Sequence, residues 1–275
     1  MSSVEEHYAS NDLGERILAA LEASGADLGA LTIEDLAPVD GFHIRGREAT
    51  VELARMAGIG QRELVLDAGC GIGGTCRYLA KTFGCKTIGV DLTEEHIGVA
   101  GMLSERVGLG GATEFRRGSV LDLPFDDDHF DVAWTEHTQM NIADKEGFYA
   151  ELFRVLGPGG KLAFHDVFAG PEGELHFPVP WAADASISHL IPIETLRAVL
   201  GATGFSQLAW EDRTAASTEF FEGVVSREPS TVGVHLVMRG AATKIPNLLR
   251  NLKEGRVCVV QAVMKKPSSP AVSRP

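Results

Sequence analysis

Val65-Leu66-Asp67-Ala68-Gly69-Cys70-Gly71-Ile72-Gly73-Gly74 is the stretch that decides the fold. A short apolar run ends in an aspartate and opens into glycines. The run reads as a buried strand and the glycines as a turn where the backbone must approach a ligand without side chains in the way. Outward from this turn, helical and strand patterns alternate. A helix is expected over about 74–83, a strand at 87–91, a helix at 94–107, a short strand at 113–117 and a strand at 130–134. A helix over 145–156 then meets Gly157-Pro158-Gly159-Gly160, read as a stop and turn before a strand at 161–167. Strands separated by helices of this length give βαβ units and a parallel sheet. A helix at 192–200, a strand at 205–210, a mostly helical stretch to residue 253 and a last strand at 257–264 complete the pattern.

The composition agrees with one large globular domain. The chain has 275 residues, 44% hydrophobic and 23% charged, with no apolar run near the roughly 20 residues of a membrane span. Its net charge of −13 works against nucleic acid as a partner. The acidic N-terminus does not read as a secretory signal, so a cytoplasmic location is expected. Cys70, Cys76, Cys85 and Cys258 lack zinc-site spacing and read as reduced, structural thiols; no metal is expected.

Gly69, Gly71 and Gly74 fit G-x-G-x-x-G, and Asp91 follows at a distance suited to ribose hydroxyls. Alone, this spacing serves NAD, FAD and S-adenosylmethionine alike. Further features narrow it: Asp67 before the glycines, Leu123-Pro124-Phe125 ahead of Phe130-Asp131, and Arg154-Val155-Leu156-Gly157-Pro158-Gly159-Gly160. In this order the set resembles the class I S-adenosylmethionine-dependent methyltransferases over about residues 60–168. Within them the pattern is most similar to small-molecule N-methyltransferases of the sarcosine and dimethylglycine type.

The resemblance implies an α/β fold: a doubly wound, mostly parallel, seven-stranded Rossmann-like sheet of order 3-2-1-4-5-7-6, with the last strand antiparallel. Residues 1–58 are expected as an N-terminal helical lid. Residues 59–275 are expected as the S-adenosylmethionine-binding domain, with an irregular acceptor-side insertion at about 168–191. It also implies cofactor contacts from Ala68, Gly69 and Gly71 at the methionine part, Asp91 at the ribose, and Leu92 against the adenine. His96, Ser119 and the Val120 backbone complete that set, and Glu136 is expected near the sulfonium and amino group. Ser119 stands where the family often has aspartate, and His96 where it often has glutamine.

Acceptor chemistry belongs at the carboxyl ends of the strands. This nominates the loop after the fourth strand and the end of the fifth, hence Glu136, His137, Asn141 and His165 as catalytic candidates. The N-methyltransferases carry a histidine where this chain has Asn141. His43, Met140 and Trp181 are the candidates for holding the acceptor. The expected reaction is in-line transfer of a methyl group to a small-molecule acceptor, an amine such as sarcosine or dimethylglycine, leaving S-adenosylhomocysteine. O- or C-methylation of a quinol, polyketide or sterol-like acceptor is the alternative, and an NAD-dependent oxidoreductase the alternative from another class. A small molecule is the expected partner, with neither nucleic acid nor membrane; a homodimer is compatible with the sequence.

Overall fold

The computed structural model describes residues 3–8, 12–226 and 232–268. Four helices come first: α1 (Ser3–Tyr8), α2 (Leu13–Ala23), α3 (Ile33–Asp40) and α4 (Gly46–Ala57). The alternating part follows as β1 (Leu64–Ala68), α5 (Gly74–Phe83), β2 (Lys86–Asp91), α6 (Glu94–Arg106), β3 (Thr113–Arg117) and β4 (Phe130–Glu136). It continues through α7 (Lys145–Val155), β5 (Leu156–Ala169), α8 (Ile193–Thr203) and β6 (Ser206–Asp212). The chain closes with α9 (Thr214–Val225), α10 (Ala241–Lys253) and β7 (Val257–Lys265).

The seven strands form one sheet in the order β3-β2-β1-β4-β5-β7-β6, as expected, with β7 antiparallel to both its neighbours. Side chains alternate between the two faces along each strand. Val65, Trp134, Ala163 and Val263 therefore meet Leu53, Ala54 and Leu79 of α4 and α5. Leu66, Ala133, Phe164 and Val260 meet Phe148, Leu152 and Leu196 of α7 and α8 on the other face. Helices on both faces put the strand carboxyl ends, and the loops after them, at one rim.

Local chemistry sets the element ends. Thr32 caps α3 in a reciprocal pair, Asp35 N donating to Thr32 Oγ1 at 3.2 Å and Thr32 N to Asp35 Oδ2 at 2.9 Å. Asp144 caps α7 by accepting from Gly147 N at 2.8 Å. The Gly-Pro-Gly-Gly segment departs from its expected role. It is not a turn before the fifth strand but its first residues: Leu156 pairs with Phe130, the register slips before Val132, and Gly159 N donates to Lys266 O at 3.1 Å. Glycines and a proline are what a bulged strand start tolerates.

Residues 1–58 are not a single layer. α4 lies on the sheet beside β5 and β7 and belongs to the core, while α2 and α3 pack against α6 and α5. Residues 170–191 form an irregular cover, buried through Val179, Trp181, Ala182 and Ile187 against Phe221, Leu248 and Leu252. Among the described residues no helix is long and apolar enough to cross a membrane. All four cysteines are free thiols, three of them buried.

Candidate active site

The glycine turn is built by its neighbours. Gly69 N and Cys70 N both donate to Val90 O, at 2.8 and 3.1 Å, which bends the chain off β1. Gly69 has φ +85°, and a Cβ there would lie 2.1 Å from Thr138 Oγ1. Gly71 has φ +51°, and the space its Cβ would occupy is open. The first glycine thus permits close packing against the loop after β4, and the second leaves backbone facing the cavity.

Asp91 ties this turn to the end of β2. Its Oδ2 accepts from Gly71 N at 3.0 Å and its Oδ1 from Thr93 N at 2.9 Å. Burial pushes its pKa up, but the His96 imidazole, 3.6 Å away, and the two N–H donors outweigh this and hold it below the ordinary value. Asp91 is therefore ionised, and each oxygen keeps a lone pair for a further donor.

A cavity of about 190 Å³ opens at the strand rim. Gly69, Gly71, Asp91, Leu92, His96, Ser119 and Val120 line it, together with Glu136, His137, Met140, Asn141, His43 and Trp181. Two expected site residues do not. Ala68 is buried in β1, its carbonyl accepting from Thr138 Oγ1 at 3.2 Å. His165 is fully buried in β5, its Nε2 lying 3.0 Å from Ile44 O. An apolar strand position made His165 legible as a core histidine as readily as a base.

Glu136 is held by Thr75 and Thr50, which no sequence motif marks, and by His43. Thr75 Oγ1 donates to its Oε2 at 2.7 Å, Thr50 Oγ1 lies 3.2 Å from both oxygens, and His43 Nε2 is 3.4 Å from Oε1. The available signal was a threonine on the buried faces of α4 and α5, where apolar residues otherwise pack. Asp67, buried near the end of β1, accepts from the Cys76 thiol at 3.4 Å. Burial and then the Glu136 charge push its pKa up to about 8.

His137 adopts φ +52°, uncommon for a residue with a side chain. Its N donates to His165 O at 2.9 Å, and its Nε2 is buried with no hydrogen-bond partner among the described residues. Burial, then His165 and His43, hold its pKa well below the usual value, so the ring is neutral. The loop that carries it is pinned from behind. Asp166 Oδ2 accepts from Thr138 N and Gln139 N, both at 3.1 Å, and Lys145 Nζ donates to Ile142 O at 2.5 Å.

Asn141 is a clip. Its Nδ2 donates to Trp181 O at 2.9 Å and Ile187 O at 2.8 Å, while its Oδ1 accepts from Tyr8 OH at 3.0 Å. It joins α1, the loop after β4 and the 170–191 cover, so its side chain has no donor left for chemistry. Asn141→Ala strips partners from three buried groups and is expected to lower stability by about 1–3 kcal/mol in urea unfolding. Tyr8→Phe, which removes one of the three, should lose less.

His165 makes stability depend on pH. Burial lowers its pKa from 6.5 to about 4. The unfolded chain therefore takes up a proton between these values while the folded one does not, so stability present at pH 7 is lost as pH falls. The loss from this residue is about 2 kcal/mol between pH 7 and 5. Urea unfolding of wild type and His165→Phe at both pH values checks it: the variant's stability should fall less over that interval.

Residues 66–164 match the methyltransferase-domain family, a span that includes the glycine turn, Asp91, Glu136 and the loop after β4. With a sheet of this order, the class is a methyltransferase fold of the S-adenosylmethionine-dependent kind. The chain is also similar to two curated relatives and one solved structure. It is 32% identical over 167 residues to a sterol 24-C-methyltransferase of Eremothecium gossypii, covering 58% of this chain and 45% of that one. It is 28% identical over 224 residues to a sarcosine/dimethylglycine N-methyltransferase of Halorhodospira halochloris, covering 78% and 76%. A geranyl diphosphate methyltransferase in complex with GPP and sinefungin superimposes with a TM-score of 0.72 at 18% identity, covering 96% and 97%. The chain spans less than half the length of the sterol enzyme it matches. These similarities bear out the resemblance in family and fold.

The residues present fit S-adenosylmethionine. Asp91 offers two acceptor oxygens for a diol, Ser119 keeps its hydroxyl proton free to donate while its oxygen accepts from Leu121 N at 3.2 Å, and Gly71 leaves the backbone bare toward the cavity.

Proposed function

We infer that this chain transfers a methyl group from S-adenosylmethionine to a small-molecule acceptor, with S-adenosylhomocysteine as co-product. The observation that carries the reading is the ionised Asp91, bound to the bare Gly71 backbone at the mouth of a cavity that also contains Glu136 and His137. The cofactor supplies an already activated methyl group on a sulfonium, so the protein's work is alignment, exclusion of water and proton handling.

In this reading Gly69 and Gly71 leave room for the methionine part, Asp91 holds the ribose diol, and Leu92, Ser119 and Val120 surround the adenine beside His96. Glu136, fixed by Thr50 and Thr75, attracts the cofactor's positive charge. His137 receives a proton from the acceptor. His43 orients Glu136, while Met140 and Trp181 wall the acceptor's end of the cavity. Asn141 and His165 position the loop and strand that carry these groups. Residues 59–275 form the catalytic domain, and of residues 1–58 it is α1 that serves as a lid. Three contacts support that role: Glu5 with Arg117 Nη2 at 3.0 Å, His7 Nε2 with Pro180 O at 3.1 Å, and Tyr8 with Asn141.

An amine acceptor such as sarcosine or dimethylglycine is supported by similarity to the Halorhodospira halochloris relative. A hydroxyl or carbon acceptor is favoured by the cavity itself, whose lining among the described residues includes neither lysine nor arginine for a carboxylate. An NAD-dependent oxidoreductase finds no support in the methyltransferase-domain match.

The test is S-adenosylhomocysteine release by the purified protein, with mass detection of methylated product, over a panel of glycine, sarcosine, dimethylglycine, phosphoethanolamine, a catechol and a quinol. Product carrying one added methyl group, formed only with cofactor present, is expected. Failure to bind either S-adenosylmethionine or S-adenosylhomocysteine would sink the reading.

A further inference from the structure

Phe42, Met140, Ile142 and Trp181 bring apolar side chains to the cavity lining, beside the loop after β4 and the 170–191 cover. Several polar groups beside them are already engaged: Tyr8 OH donates to Asn141 Oδ1 at 3.0 Å and Thr138 Oγ1 to Ala68 O at 3.2 Å. Asn141 has both donors bound to carbonyls, and Trp181 Nε1 donates to Ser188 Oγ at 2.9 Å. Cations on the surrounding elements are engaged elsewhere. Arg45 binds Glu48 and Glu52 at 2.9 and 2.7 Å, Arg77 binds Asp40, and Lys145 donates to the carbonyls of Gln139 and Ile142. Lys244 faces His7 Nε2 at 3.2 Å and Pro180 O at 3.5 Å. Asp91 and Glu136, by contrast, turn carboxylates toward the cavity.

A carboxylate or phosphate entering here would shed its water and meet negative charge, with neither lysine nor arginine among the described lining residues to compensate. An uncharged aromatic ring would lose nothing of this kind and would bury its faces against Phe42, Met140 and Trp181. The ring's hydroxyl needs a neutral base, and His137 lines the same cavity with a nitrogen left unpartnered.

Resting on the methyltransferase reading above, we propose that the acceptor is an uncharged ring-bearing hydroxyl compound, of the phenol or quinol kind, whose hydroxyl proton passes to His137. The acceptor oxygen forms its bond to the methyl carbon as the carbon–sulfur bond breaks. The electron pair of that bond stays on sulfur, turning sulfonium into thioether, and the proton leaves oxygen for the imidazole. Net charge is conserved, the sulfonium's positive charge reappearing on His137. Burial, with His165 and His43 nearby, keeps this ring neutral, and its Nε2 has no partner among the described residues, so it can accept the proton.

The probes are 3,4-dihydroxybenzoate and its methyl ester, which differ in charge and share the catechol. With the protein saturated by S-adenosylhomocysteine, calorimetry should show the ester binding at least 10-fold more tightly than the acid. His137→Gln should keep ester binding within about threefold while lowering its methylation 100-fold or more, within the usual range for loss of a general base. Equal or tighter binding of the acid overturns the proposal. So does failure of the ester to bind when S-adenosylhomocysteine does, or methylation of sarcosine or dimethylglycine in preference to the ester. Loss of S-adenosylhomocysteine binding itself is the separate outcome that removes the methyltransferase reading, and this proposal with it.

Discussion

Asp91→Ala is expected to weaken S-adenosylhomocysteine binding at least 100-fold while leaving the chain folded. The carboxylate is ionised, and each oxygen already accepts one backbone N–H, from Gly71 and from Thr93. A diol bound to the remaining lone pairs makes two charge-assisted hydrogen bonds, each contributing about 1.5–3 kcal/mol. Losing both amounts to about 3 kcal/mol or more, which is two decades in affinity. Calorimetry measures this directly. Because the substitution also frees Gly71 N, a looser turn would weaken binding for another reason, so a second ligand is needed. An analogue lacking both ribose hydroxyls should bind wild type poorly, yet bind Asp91→Ala about as well as S-adenosylhomocysteine does. A variant that still prefers the natural ligand by 100-fold would show that Asp91 shapes the turn and does not hold the ribose. Asp126→Asn, in an acidic turn of the chain remote in sequence from the glycines, is the control expected to bind normally.

The sheet and the cofactor end of the cavity were legible because local rules write them into adjacent residues. A strand, a glycine turn and a helix are contiguous between Leu64 and Phe83, and Asp91 follows at the end of the next strand. The strand order was legible only through resemblance, since periodicity does not say which strand lies beside which. The acceptor end was harder, because its residues come from α1, the 41–46 turn, the loop after β4 and the 170–191 cover. Thr50 and Glu136 are 86 residues apart, and Tyr8 and Asn141 are 133 apart. No spacing rule links such pairs. Asn141 and His165 illustrate the same limit from the other side. Both have side chains capable of chemistry, yet Asn141's amide donors and His165 Nε2 meet backbone carbonyls that only the folded chain brings near. The Gly-Pro-Gly-Gly segment failed for a different reason: its residues suit a turn and a bulged strand start equally, and pairing with Lys266 decides between them.

Arg77→Leu is expected to be the most damaging single change to stability, by about 3–5 kcal/mol, because it leaves a buried carboxylate without its hydrogen-bonded counter-charge and with only Arg47, 3.7 Å from its other oxygen, as a cation. Arg77 is completely buried on α5, and its Nη2 donates to Asp40 Oδ1 at 2.5 Å across the contact with α3. Its Nη1 lies 3.3 Å from Ala100 O and 3.4 Å from Ser104 Oγ, so one guanidinium joins α3, α5 and α6. Burial pushes the Asp40 pKa up, and the Arg77 charge and hydrogen bond oppose that rise. Without Arg77 the carboxyl should therefore take up a proton in the folded chain well above pH 3.8. A raised folded pKa means that stability falls as pH rises, so the deficit of Arg77→Leu should be smaller at pH 4.5 than at pH 7.5. Simple loss of packing would give the same deficit at both. The double variant Arg77→Leu/Asp40→Leu removes the orphaned charge, and should be more stable than the sum of its single changes allows. The consequence reaches the cavity, because Asp40 also packs against the start of α5: a Cβ on Gly74 would lie 2.5 Å from that of Asp40. The glycine turn runs directly into this contact, so Arg77→Leu should weaken S-adenosylhomocysteine binding even under conditions where the chain remains folded. Normal affinity in the folded variant would show that Val90 O and Asp91 hold the turn without help from α3.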